Sequence, residues 1–179
     1  LVDATDKDKR KVIQFYEHHP VSGYEIGSVQ VIYNPNMNHK FALHLAELQQ
    51  CENNLAFKAK WPTGQEGKYE SVDSQENIAW RTRVHQHFKD LVKPYQDTDY
   101  PAVNLLPVWH GTKAEVVDSI CRTGYANLAT TDSGFFGKGI YGAHEAEYSH
   151  RVYAKKTGAL ILNWTATFSV YPVIDGDMK

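Results

Sequence analysis

The sequence predicts an α+β fold, and three observations predict it. Apolar residues recur at helical spacing in three segments of the first hundred residues. A late segment, "ALILNWTATFSVY", alternates instead: Leu160, Leu162, Trp164, Ala166, Phe168 and Val170 fall on one face, and Asn163, Thr165, Thr167 and Ser169 on the other. A third, short apolar run over 103–109 has a strand's length and ends in His110-Gly111-Thr112.

Taken in order, "TDKDKRKVIQFYEHHP" opens with Thr5 and Asp8 as a helix cap, carries Val12, Ile13, Phe15 and Tyr16 along one side, and stops at Pro20. "GYEIGSVQVIYNP" is rich in β-branched and aromatic residues between Gly23 and Asn34-Pro35, which predicts a strand. Phe41, Leu45 and Leu48 then mark a core-facing helix, with Leu55 continuing the stripe. Residues 61–74 concentrate Pro, Gly and polar residues and read as a surface loop. Ser74 caps a further helix through Ile78, Val84, Phe88 and Leu91, closing near Pro94, with the mixed charges from Arg81 to Lys93 on its surface. Thr112 with Glu115 forms a capping box that places His110 where a strand meets a helix; that helix runs through Val116, Val117 and Ile120 to Gly124, a left-handed cap. After Tyr141 and Ala143 a last helix runs to about Lys156.

Composition narrows the function. At 179 residues the chain suits a single domain with its own core. A formal net charge of −2 gives no basic footprint, so nucleic acid is not an expected partner. No apolar run reaches eighteen residues and no charged-then-apolar leader is present, so membrane contact is not expected and a cytoplasmic or nuclear setting is. Cys51 and Cys121 form no CxxC pair and read as small hydrophobes. Asn163-Trp164-Thr165 matches a glycosylation sequon but reads as strand. His85 with His87, and His18 with His19, have no cysteine or carboxylate at ligand spacing, so no metal is expected.

The chemistry concentrates in "SGFFGKGIYGAHEAEYSHRVYAKKTG". Gly134, Gly137 and Gly139 permit tight turns and close ligand approach. The run is neither a dinucleotide fingerprint, which must follow a strand and open a helix, nor a Walker loop, because Lys138 precedes Gly139. Ser149 and Tyr153 lie four apart on one helix face with Ala146 a turn earlier. Opposed by Tyr141, that face can sandwich a flat ring while backbone amides hold a carboxamide, as nicotinamide requires. Each residue alone has a plainer explanation: His110 and Thr112 as helix-start hydrogen bonders, and Tyr141, Tyr148 and Tyr153 as core aromatics.

The ordered set "HGT", "GFFGKGIYGA" and a helix carrying a serine and a tyrosine, preceded by "IGSVQVIYNPNMNHKF", resembles the catalytic domain of the poly(ADP-ribose) polymerase family of ADP-ribosyltransferases over most of the chain. The resemblance implies a split, mostly antiparallel β-sheet with flanking helices, and NAD bound in its cleft as the ADP-ribose donor. It implies that Gly111 reads the nicotinamide amide through its backbone, that His110 meets the adenine-side ribose and that Thr112 faces the adenosine half. Tyr141 and Tyr153 would stack on the nicotinamide, with Tyr148 the alternative second ring; Ser149 would donate to its carbonyl, and Ala143 would line the same site. The segment 127–135 would cover the donor. The expected activity is pentosyl transfer, releasing nicotinamide and placing a single ADP-ribose on an acceptor macromolecule, a protein.

The family's third signature, a late glutamate, has no match: after Glu147 the only acids are Asp175 and Asp177. The resemblance therefore predicts one domain over 1–179 that continues past Lys179, with a further strand beside Leu160–Tyr171. It also predicts no DNA dependence, since the region before Tyr24 is too short for a helical regulatory domain. Three alternatives stay open: an inactive NAD- or ADP-ribose-binding relative, an RNA 2′-phosphotransferase relative, which would need a basic surface, and an interaction domain on the same scaffold.

Overall fold

The computed structural model describes residues 1–61, 74–125, 137–155 and 158–175. It contains helices and two antiparallel two-stranded sheets, which is the expected α+β class. The expected loop over 61–74 falls largely outside the described residues, as does the covering segment 127–135. Two compact units divide the chain: Leu1–Phe41 with Pro107–Thr165, and Ala42–Leu106 with Ala166–Lys179.

In the first unit, α1 (Asp6–His18) starts where Thr5 accepts from the Asp8 amide at 3.3 Å and donates to the Asp8 carboxylate at 2.6 Å. Its inner side packs Val12, Phe15 and Tyr16 on a cluster of Val21, Trp109 and Ala146, joined by Leu160 and Leu162. The strand expected over 23–33 shortens to β2 (Gln30–Val31), paired with β1 (Val2–Asp3). The Tyr16 hydroxyl explains the loss. It accepts from Val21 N at 3.1 Å and donates to Tyr24 O at 3.2 Å, winding the chain around itself before any ladder can form.

Asn34 and Pro35 open α2 (Pro35–Gln50), with proline at the first helical position, where its missing N–H costs nothing. Asn34 Oδ1 accepts from Met37 N at 3.1 Å, and its amide donates to the carbonyls of Cys121 and Arg122, both at 3.0 Å. One side chain thus caps two helix ends.

α4 (Val117–Thr123) stops at Gly124, whose φ of +80° and ψ of −175° belong to glycine alone. The Thr112–Glu115 capping box does not form. β3 (Asn104–Lys113) runs through Thr112, and the turn Ala114–Val116 starts without a side-chain cap. The extended apolar run simply outlasts the capping signal.

β4 (Gly158–Thr167) pairs with β3, so the alternating strand does have a neighbour in this chain. Thr112 lies beside Gly158 while Asn104 donates to Phe168 O at 3.0 Å, which fixes the antiparallel sense. β4 ends at Thr167 instead of Tyr171, and its burial is two-sided: Ile161, on the face expected to be polar, is 5% exposed, whereas Trp164 is 51% exposed and meets Phe15 edge-on.

In the second unit the Leu55 stripe breaks. The chain enters short 3-10 turns at Cys51–Asn53 and Leu55–Phe57 because Asn54 Oδ1 accepts from Ala56 N at 3.0 Å, a local bond that competes with the helix. Leu55 ends 71% exposed. α3 (Gln75–Val92) begins at Ser74 as expected, accepting from Asn77 N at 3.1 Å.

Its charged surface needs a correction: Arg81 is buried and Val84 is not. The Arg81 guanidinium donates to Pro172 O at 2.8 Å and lies 5.2 Å from the Tyr171 ring centre. A 3.6-residue period cannot distinguish an apolar residue from a long side chain with somewhere to donate. Arg81→Met keeps the stem and removes the donor, and is expected to cost about 1–3 kcal/mol for the stranded carbonyl and lost charge contact. A lowered urea midpoint with unchanged slope checks this. Among the described residues no helix is long and apolar enough to cross a membrane.

Candidate functional site

The two sequence motifs meet at the edge of β3 away from β4. Trp109 and Ala143 exchange both backbone hydrogen bonds, at 2.7 and 2.9 Å, in an isolated antiparallel bridge. One more step would set Gly111 opposite Tyr141, but the ladder stops. Tyr141 O instead lies 2.8 Å from His110 Nδ1. Because amide directions alternate along a strand, Gly111 turns its N–H and C=O to the same edge as Trp109, into the gap where the pairing ends.

The His110 bond also fixes a tautomer. A carbonyl only accepts, so Nδ1 carries a proton, and in the tautomer this selects, Nε2 is the acceptor. His110 is half-buried, and the Tyr125 ring meets it edge-on at 4.8 Å.

Against this edge lies α5 (Ala146–Ser149), prolonged by a π turn over His150–Ala154. Ala146 and Ser149 are wholly buried. The Ser149 hydroxyl donates to Trp109 O at 2.7 Å, so this carbonyl serves both Ser149 and Ala143. A Cβ at Gly111 would strike Ser149 O and approach Ala154 N to 2.9 Å, so only glycine lets helix and strand come this close. The π turn, about 4.4 residues per turn against 3.6, re-aims Tyr153 relative to Ser149 and is a local form found often at functional sites. Just past it, Lys155 takes φ +54°, a conformation unusual for a side-chain-bearing residue.

The rings of Tyr141 and Tyr153 stand 6.2 Å apart and 27° from parallel. Tyr148 is exposed and meets Tyr153 at 67°, so it lies edge-on where Tyr141 lies face-on. Two stacked contacts of about 3.5 Å each require about 7 Å, so a third planar ring would need the pair to open by roughly 1 Å. A shallow hollow of about 390 Å³, lined by Lys113, Ala114, Glu115, Tyr153, Ala154 and Lys155, adjoins the pair. At 6.2 Å between centres, the space between the two rings is a closed slot too narrow for a third ring.

Of the residues expected from sequence, His110, Gly111, Tyr141, Ala143, Ser149 and Tyr153 come together here. Thr112 is half-buried in β3, two residues beyond the bridge to Ala143. Gly137 has φ +102°, and its carbonyl accepts from the Tyr141 hydroxyl, which holds the ring from its far end; Gly134 lies outside the described residues. Sequence reasoning missed the Trp109 carbonyl, the π turn and Tyr125. Only Tyr125 left a visible signal, an aromatic immediately after a helix-ending glycine. Among the described residues there is no group of three or more His, Cys, Asp or Glu side chains arranged to hold a metal.

Among the described residues the buried Tyr125 hydroxyl makes no hydrogen bond of ordinary geometry, although the Asn163 amide, which donates to Ile161 O at 2.9 Å, lies close to it. Burial pushes its pKa up to about 12, with the Asn163 amide acting in the opposite direction. The folded pKa exceeds the unfolded value of about 10, so the stabilisation is intact below pH 10 and is lost as pH rises towards 12. Tyr125→Phe is expected to flatten part of that decline, read as the change in urea midpoint between pH 9 and 11.

The strand edge stops pairing next to Gly111 and is faced by Ser149 and the near-parallel pair Tyr141 and Tyr153. Comparison with known families shows that the poly(ADP-ribose) polymerase catalytic domain matches residues 16–171, and the chain belongs to that family of NAD-dependent ADP-ribosyltransferases. No curated protein and no solved structure matches the chain.

Proposed function

We propose that the chain transfers a single ADP-ribose from NAD to a protein acceptor and releases nicotinamide. The observation that carries this reading is the near-parallel pair Tyr141 and Tyr153 beside the split edge at Gly111. Nicotinamide seats between the rings, and its carboxamide pairs with the N–H and C=O of Gly111. Ser149, turning from Trp109 O, donates to the amide oxygen. His110 Nε2 accepts from a hydroxyl of the adenine-side ribose, with Thr112 on the adenosine half and Ala143 on the wall.

Nicotinamide is bonded to the ribose as a cationic pyridinium and departs as a neutral ring, so its departure needs little acid help. The C–N bond breaks with its electron pair going to nicotinamide, and the acceptor nucleophile adds to the oxocarbenium-like ribose and loses its proton. The chain's work is to hold the leaving ring and exclude water, which raises the rate by positioning.

Mass spectrometry of a mixed-protein acceptor pool incubated with NAD checks this. Single ADP-ribose adducts with matching nicotinamide release are expected, and nicotinamide binding with neither product would end the transfer reading. A second reading, a binding module without transfer, draws support from the Ser149 hydroxyl already committed to Trp109 O and from the closed slot. It predicts inhibitor binding with no adduct.

A further inference from the structure

We propose that Tyr125 is a positioning residue for His110, its ring setting the direction of the imidazole. The inference rests on the reading of His110 as the contact for the adenine-side ribose. The bond from Nδ1 to Tyr141 O fixes one atom of the ring, but an imidazole held at one point still pivots about that bond. The Tyr125 ring, edge-on at 4.8 Å and 71°, blocks the pivot from a second direction. Two contacts hold Nε2 where one would not.

Tyr125 is itself held. It directly follows Gly124, whose positive φ sets the exit from α4, and Gly124 N donates to Ile120 O at 2.8 Å. Asn34 grips the end of the same helix through the carbonyls of Cys121 and Arg122, and a Cβ at Gly124 would come within 2.9 Å of Met37 Cε. The support therefore runs from Asn34 through the end of α4 and the Tyr125 ring to His110. The contact with His110 is made by the aromatic ring, and among the described residues the hydroxyl makes no hydrogen bond to the imidazole.

The test splits the donor in two, titrating the full chain separately with ADP-ribose and with benzamide, which mimics nicotinamide alone. Tyr125→Leu is expected to weaken ADP-ribose by about tenfold, the scale on which an orienting outer-shell partner acts, and to leave benzamide within about twofold. Tyr125→Phe restores both. Equal losses for the two ligands in Tyr125→Leu would mean a general structural role and overturn the proposal. So would a Tyr125→Phe variant as weak as Tyr125→Leu, because the hydroxyl would then be the acting group. If the wild type binds neither ligand, the functional reading fails, and nitrogen NMR of His110 still decides this one: Tyr125→Leu is expected to blur the fixed Nδ1–H tautomer, and an unchanged pattern overturns it.

Discussion

Tyr153→Ala is expected to weaken a benzamide-type inhibitor by about 1–3 kcal/mol, the range for losing one buried aromatic face and its stacking. That corresponds to a loss of roughly five- to 150-fold in Kd. The ring is one of the near-parallel pair, and no described residue other than Tyr141 stacks with it face to face. Tyr148→Ala serves as the control, since its exposed, edge-on ring predicts a change within about twofold. Calorimetric titration of both folded variants gives the answer. Equal effects would move the second ring from Tyr153 to Tyr148, and no effect in either would remove the inhibitor from this slot.

Gly111→Ala has the second large effect, and it acts on the fold before it acts on any ligand. The added methyl would overlap Ser149 O and press on Ala154 N, both backbone atoms that cannot rotate away. Overpacking of this kind costs about 1–3 kcal/mol, and here more than one helical turn must shift. The thermal midpoint is expected to fall, with benzamide affinity falling further than Tyr153→Ala alone would cause, because the amide and the helix position are lost together. A variant with wild-type stability and affinity would show that strand and helix are not packed so closely in solution.

The sequence was most informative where a side chain both caps and patterns an element, as at Thr5 and Ser74, and where glycine must take a conformation other residues avoid, as at Gly124. It misled where a tertiary partner decided the outcome. The Tyr16 hydroxyl consumed the backbone groups of a segment with strand composition, and Pro172 O gave Arg81 a reason to be inside. At the site, the residue types were legible but their joining was not. Nothing in a linear spacing reveals that the ladder between Trp109 and Ala143 halts one step before Gly111, or that four residues from Ser149 to Tyr153 traverse a π turn instead of an α turn.

The Trp109 carbonyl makes the slot self-reporting. It accepts the Ala143 amide and the Ser149 hydroxyl at once, so its lone pairs are shared between the bridge that joins the motifs and the group proposed to turn to a ligand. When Ser149 rotates away, the Ala143 amide no longer competes for electron density and its bond strengthens. On the proposed reading, the proton chemical shift of that one amide becomes a gauge of ligand engagement, readable without substrate turnover and without knowing the acceptor.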